Sequence, residues 1–315
     1  MTPSWMLCLV AANAIFAPPR EQDVLIPARD GRQLAGTLTL PAVGHPPFPV
    51  AISLTGSGAH HRDGNRAPAH PYRPFREIAN ALADKGIAML RMDDRGVGAS
   101  TGDANATTGD DVADDVRVAI AWLRGRREMD AARVALIGHS FGGAVAPMVA
   151  GDDARIAALV LMAAPARSFR ETMRYQHGRR IQADPGIAPD DREAALARAM
   201  ARQEQNAAAS EELWRPWLQN KDLLPAVRRV SCPVLILHGT SDQAVPPADA
   251  LALFATLREA SNHRVTLKIL ESMNHHFNID PVGATNRYDQ LPSQNLAREF
   301  LKTLSAWLAE TLARP

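Results

Sequence analysis

A short apolar run at residues 134–137 leads directly into Gly138-His139-Ser140-Phe141-Gly142-Gly143, and a helix-forming stretch follows to residue 150. This is G-x-S-x-G between a strand and a helix. A turn this sharp leaves no room for side chains at its flanks, which explains glycine at 138 and 142. It lifts the Ser140 hydroxyl out of the packed layer. It also sets the Phe141 backbone N–H at a helix N-terminus, where it can meet a developing oxyanion. A serine that merely caps the helix would show the same letters. The strand before and the helix after favour the sharp elbow.

The rest of the chain is built to carry such an elbow. Residues 24–26 and 34–40, around Asp30-Gly31, predict an antiparallel hairpin. Short apolar runs at 50–54, 87–92, 156–162, 233–237 and 265–269 predict further strands. Between them, residues 75–85 (closed by Gly86), 108–124, 247–257 and the stripe Leu296, Phe300, Leu304, Leu308 predict helices. In 108–124 the residues Val112, Val116, Ala119, Ile120 and Leu123 share one face, acids crowd the start, and arginines crowd the end. That charge order suits the helix dipole. Pro147 inside the helix after Ser140 predicts a local kink. The alternation predicts an α/β fold, a mostly parallel sheet with helices on both faces. Residues 166–230 break the rhythm. They hold no convincing strand and read as a helical cap inserted into a core of 21–165 and 231–315.

Composition narrows the partners. Lys plus Arg is 35 and Asp plus Glu is 34, so no overall field draws the chain to nucleic acid or an anionic membrane. A small, largely uncharged substrate fits this balance. Two cysteines, Cys8 and Cys232, make no disulfide framework. Residues 5–17 are apolar apart from Asn13 and too short to span a bilayer. With Ala12-Asn13-Ala14 they read either as a cleaved export signal within 1–20 or as a plain N-terminal extension, since no Lys or Arg precedes them. The first reading places the protein in the periplasm or outside the cell, the second in the cytoplasm.

A serine needs a base, held in turn by a third group. The run 233–237 ends in His-Gly-Thr-Ser-Asp242, and the run 265–269 leads into Asn274-His275-His276-Phe277. Each candidate lies just past a strand, in the order nucleophile, acid, base. Composition does not choose between His275 and His276. His60 and His61 are adjacent and point apart, no third spaced His or Cys joins them and Asp63 to complete a metal site, and Gly56, Gly58 and Gly64 lack the Gly-Lys-Ser/Thr of a phosphate loop. No metal or organic cofactor is expected.

These motifs together resemble the α/β-hydrolase superfamily over about residues 24–312: the elbow at 138–143, the acid loop at 238–247, and the Asn-His-His-Phe loop. The resemblance implies the fold, Ser140 as nucleophile, Asp242 as acid and, through the N-H-x-F pattern, His275 as base. Asp93 to Ser100 resembles a segment that organises a loop and does no chemistry. Residues 54–64 resemble an oxyanion loop with Gly-Ser-Gly in place of the commoner His-Gly. This implies the Ser57 N–H as second oxyanion donor beside Phe141, with Gly58 the alternative. The activity implied is ester hydrolysis through an acyl-enzyme. Peptidase, thioesterase, acyltransferase and perhydrolase chemistry remain open on the same triad, as does a non-catalytic binder on the same fold. Met173, Tyr175, Met200, Trp214 and Trp217 are the large side chains of the cap, some expected to line the substrate pocket and the others to pack the cap onto the core.

Overall fold

The computed structural model describes residues 18–66, 71–208, 211–219, 221–284 and 288–313. The apolar run at 5–17 lies outside them. An eight-stranded sheet runs in the order β1-β2-β4-β3-β5-β6-β7-β8. The strands are β1 (Arg20–Pro27), β2 (Gln33–Leu40), β3 (Phe48–Leu54), β4 (Ala88–Met92), β5 (Met129–His139), β6 (Ile156–Met162), β7 (Val234–Gly239) and β8 (Val265–Leu270). The expected hairpin is β1–β2, with Val24 opposite Gly36. β2 meets β4 antiparallel, and every later pair is parallel. β5 begins earlier than its apolar run, because Met129 pairs with Phe48 before a bulge restores register at Val50–Val134.

Helices cover both faces. α1 (Pro74–Ala83) and α9 (Arg298–Thr311) pack on one, through Phe75, Ile78, Leu82, Phe300 and Leu304. α2 (Gly109–Arg124), α3 (Phe141–Asp152) and α8 (Ala248–Glu259) pack on the other, through Val116, Ile120, Val145, Leu253 and Leu257. Burying both faces explains why the parallel strands read as continuous apolar runs rather than alternating ones. α2 starts at a reciprocal cap. Thr108 Oγ1 accepts from the Asp111 N–H, and the Asp111 carboxylate accepts from the Thr108 N–H. α3 runs through Pro147 without interruption.

Between β6 and β7 the described residues form only helices: α4 (Phe169–Ala183), α5 (Arg192–Ala208), α6 (Trp214–Gln219) and α7 (Leu224–Arg228), plus one 3-10 turn. α7 belongs with the body, since Ala226 and Val227 join the core packed on α3 and α8. Ser140 follows β5, Asp242 follows β7 and the 274–278 loop follows β8, so all three leave the carboxyl edge of the sheet. Among the described residues no helix is long and apolar enough to cross a membrane.

Candidate active site

Ser140 stands between β5 and α3 with φ 52° and ψ −116°. Positive φ is unfavourable for a side-chain-bearing residue, so the surroundings must hold it there. They do so by close packing. A Cβ at Gly138 would collide with the Gly142 carbonyl, and one at Gly142 with the carbonyls of Leu54 and Thr55. The Ser140 N–H donates to the Met162 carbonyl at 2.9 Å, and its own carbonyl accepts from Gly143 and Ala144. The hydroxyl makes no hydrogen bond among the described residues. It is therefore free to turn, and such bonds often form only around substrate.

The Asp242 carboxylate is wholly enclosed and fully satisfied. Oδ1 accepts from the N–H groups of Ala244 and Val245, both at 2.8 Å. Oδ2 lies 2.9 Å from His275 Nδ1 and 3.1 Å from His238 Nε2. Burial acts to raise this pKa, but the charges and N–H donors of His275 and His238 outweigh it, holding the carboxyl well below the usual carboxylate range. The Asp242 carboxyl is thus ionised whenever the protein is folded near neutral pH.

His275 and His276 part company as adjacent side chains in a turning segment do. The His275 ring turns to Asp242. The His276 ring stacks on Tyr72 at 4.6 Å between centroids and meets Tyr288 at 4.4 Å. Burial first, and then the His275 and His139 charges, push its pKa well below the ordinary histidine value. Phe277 takes a positive φ of 57° and wedges against Phe300, with ring centroids 4.3 Å apart. His139, next to Ser140, lies against the His275 ring at 4.9 Å. Burial, with the His275 charge second, pushes its pKa down to about 3.

The loop after β3 is tied down on three sides. Asp94 accepts from the Thr55 hydroxyl and from the His60 N–H, both at 2.9 Å. Arg66 donates to the Ser57 carbonyl at 2.8 Å, and the His60 ring bonds the Gly58 carbonyl at 3.1 Å. The Ser57 and Phe141 N–H groups donate to nothing among the described residues. Ser57 faces the site cavity and Gly58 does not. Asp63 pairs with buried Arg91, while His60 bonds its own loop, approaches Asp94 at 3.7 Å and also lines the cavity. Within the 93–100 segment, Asp93 takes the Arg62 guanidinium and Arg95 reaches Asp115 at 2.7 Å.

A cavity of about 640 Å³ opens over Ser140. Its floor is Gly56, Ser57, His139, Ser140, Phe141 and His275, and its walls include Phe75, Phe169, Met173, Trp214 and Leu218. Of the five cap residues that are candidates to line it, Met173 and Trp214 do so. Tyr175, Met200 and Trp217 do not, and as pocket candidates they are corrected. The Tyr175 hydroxyl donates to the Asp242 carbonyl at 2.8 Å, so it braces the acid loop. Trp217 lies on Gly109, where no Cβ intervenes, and donates to Asp110 at 2.7 Å. Met200 is buried on α5 away from the cavity. Conversely Tyr72, Thr172, Gln176, His276 and Tyr288 line the wall without having been singled out for it. The tyrosines come from segments over 200 residues apart, so no local pattern marks them.

Comparison with known proteins agrees with this architecture. The family model described as X-Pro dipeptidyl-peptidase (S15 family) matches residues 30–277. The chain is 24% identical to the esterase EstD of Thermotoga maritima over 88% of its own length and 66% of that protein's, so it spans just under two thirds of that relative. It is 26% identical to the uncharacterised protein YfhR of Salmonella typhimurium, over 81% of this chain and 79% of that one. An esterase from Pyrococcus furiosus superposes with a TM-score of 0.63 at 17% identity, covering 94% of this chain and 92% of that one, which is a likeness of fold. With the matched region spanning Ser140, Asp242 and His275, the chain belongs to the X-Pro dipeptidyl-peptidase (S15) family, within the α/β-hydrolase superfamily.

Proposed function

We propose that the chain hydrolyses a carboxylic ester of a small, largely uncharged substrate through an acyl-enzyme, with Ser140, Asp242 and His275 as its triad. The observation that carries this reading is the Asp242–His275 pair, 2.9 Å apart, whose imidazole lines the same cavity as the strained Ser140. Ser140 Oγ attacks the carbonyl carbon while His275 Nε2 takes its proton. Asp242 keeps the other ring nitrogen protonated and stabilises the imidazolium. The Phe141 and Ser57 N–H groups, which donate to no other group among the described residues, receive the oxyanion. His275 then protonates the leaving alcohol, and water releases the acyl group by the same route. Within 166–230, the helices before α7 act as the cap, with Met173 and Trp214 shaping the acyl or alcohol pocket.

The apolar part of the wall, Phe75, Phe169, Met173, Trp214 and Leu218, favours an uncharged acyl group, while Arg66, Arg167 and Asp289 also line the cavity. The family match favours a second reading, release of an X-Pro dipeptide, which the same triad would perform. The test is a fluorophosphonate label on Ser140 together with p-nitrophenyl esters of graded acyl length and X-Pro anilides. Ester turnover well above anilide turnover is expected. The reverse ranking replaces the ester reading with the peptidase one. No labelling of Ser140 overturns both.

A further inference from the structure

Behind the acid stands a second imidazole. His238, on β7, is wholly buried. Its Nε2 lies 3.1 Å from Asp242 Oδ2 and 3.0 Å from the Val245 carbonyl oxygen. Both neighbours can only accept, so Nε2 carries the proton; it hydrogen-bonds the Val245 carbonyl and stands at ion-pair distance from Asp242 Oδ2. Two imidazoles therefore face the same oxygen, His275 as a hydrogen-bond donor and His238 beside it. The other His238 nitrogen, Nδ1, is buried with no hydrogen-bond partner among the described residues. An orphaned polar atom in the core destabilises the fold, and an apolar side chain would avoid it. The bond that Nε2 makes is what the imidazole offers in return.

We infer that His238 is a positioning residue that tunes the base through Asp242. Its N–H draws negative charge from the one carboxylate oxygen that faces His275. The imidazolium of His275 is then less stabilised than it would be beside an unshared oxygen, and the base stays neutral to lower pH. The inference rests on the triad reading above. Other titratable groups facing the cluster are Asp249 on α8 and Arg167, paired at 2.5 Å, and Tyr175, bonded to the Asp242 carbonyl. On the His275 side stand His60, His139, His276 and Tyr288. None of these bonds Asp242 Oδ2 among the described residues.

The experiment is the pH profile of kcat/KM for ester hydrolysis in His238→Gln, His238→Asn and His238→Leu, with Ser140→Ala as control. The Gln amide nitrogen reaches the place of Nε2, whereas the Asn amide stops near Nδ1 and the Leu side chain has no donor. Losing the donor should move the midpoint of the acid limb upward by about half a pH unit or more in the Asn and Leu variants, and Gln should restore it. Should the Leu variant not fold, the Asn–Gln pair decides. A midpoint unmoved in the Asn variant, with only the rate lowered, overturns the inference and leaves His238 a packing residue. Ester hydrolysis that survives Ser140→Ala instead overturns the triad reading, so the two failures are told apart.

Discussion

His139 Nε2 donates to the carbonyl oxygen of His275, 3.0 Å away, and this bond ties the nucleophile elbow to the loop that carries the proposed base. Because its pKa is pushed down to about 3, the His139 ring is a neutral donor throughout the working pH range. His139→Phe keeps a ring and loses the donor. Misplacing the base by a fraction of an ångström should lower kcat by about 10²-fold with little change in KM. Steady-state kinetics check this, and an unchanged kcat would show that the loop is placed without the bond.

Ser140→Ala should lower kcat by about 10⁶-fold and abolish fluorophosphonate labelling. Ser140→Gly should be equally inactive but more stable by about 1 kcal/mol, since glycine accepts the positive φ without strain. Thermal unfolding of the two inactive variants side by side measures that strain. Equal melting temperatures would mean the elbow stores none.

The paired histidines should separate cleanly. His275→Ala is expected to cost several orders of magnitude in kcat. His276→Ala should keep most of kcat and move KM, because that ring is part of the wall between Tyr72 and Tyr288. Reversed results would make His276 the base.

Two buried histidines make the fold acid-sensitive. His139 and His276 have folded pKa values below the ordinary value near 6.5. In that window the unfolded chain binds more protons than the folded one, so stability is full above pH 6.5 and falls as pH drops towards 3. Each such group contributes about 1.4 kcal/mol per pH unit inside its window. Urea midpoints between pH 7 and 4.5 should decline steadily, and less steeply in His139→Phe. A midpoint independent of pH there would contradict the burial of these rings.

Among the cap residues, Met173→Ala and Trp214→Ala should change acyl-length preference. Met200→Ala and Trp217→Ala should lower stability with selectivity unchanged. A panel of p-nitrophenyl esters, run beside thermal unfolding, distinguishes these outcomes. A selectivity change confined to Met200 or Trp217 would show that the cavity is bounded differently.

The strands, the elbow and the order of Ser140, Asp242 and the histidine loop were legible in the sequence because each is a local matter, a run of apolar residues followed by a turn with fixed chemistry. The cavity wall was not. A Trp or Met on a cap helix reads the same whether it faces substrate or body. Trp217 settles on Gly109 only because the fold brings a side-chain-free position of α2 beneath it. Tyr72, His276 and Tyr288 meet through tertiary packing across more than 200 residues, which no periodicity records. His238 was visible only as a letter in the acid loop. Its role depends on which oxygen of Asp242 it reaches.

Three of the four groups that hold the Asp242 carboxylate lie within four residues of it in the chain: the His238 ring and the N–H donors of Ala244 and Val245. Only His275 arrives from far away, 33 residues on. The anion therefore carries most of its solvation with it as a short self-contained loop, and closing such a loop costs little chain entropy. A change in the length of α8 or β8 would thus leave three of the four groups around the charge in place, which makes the acid loop a portable part.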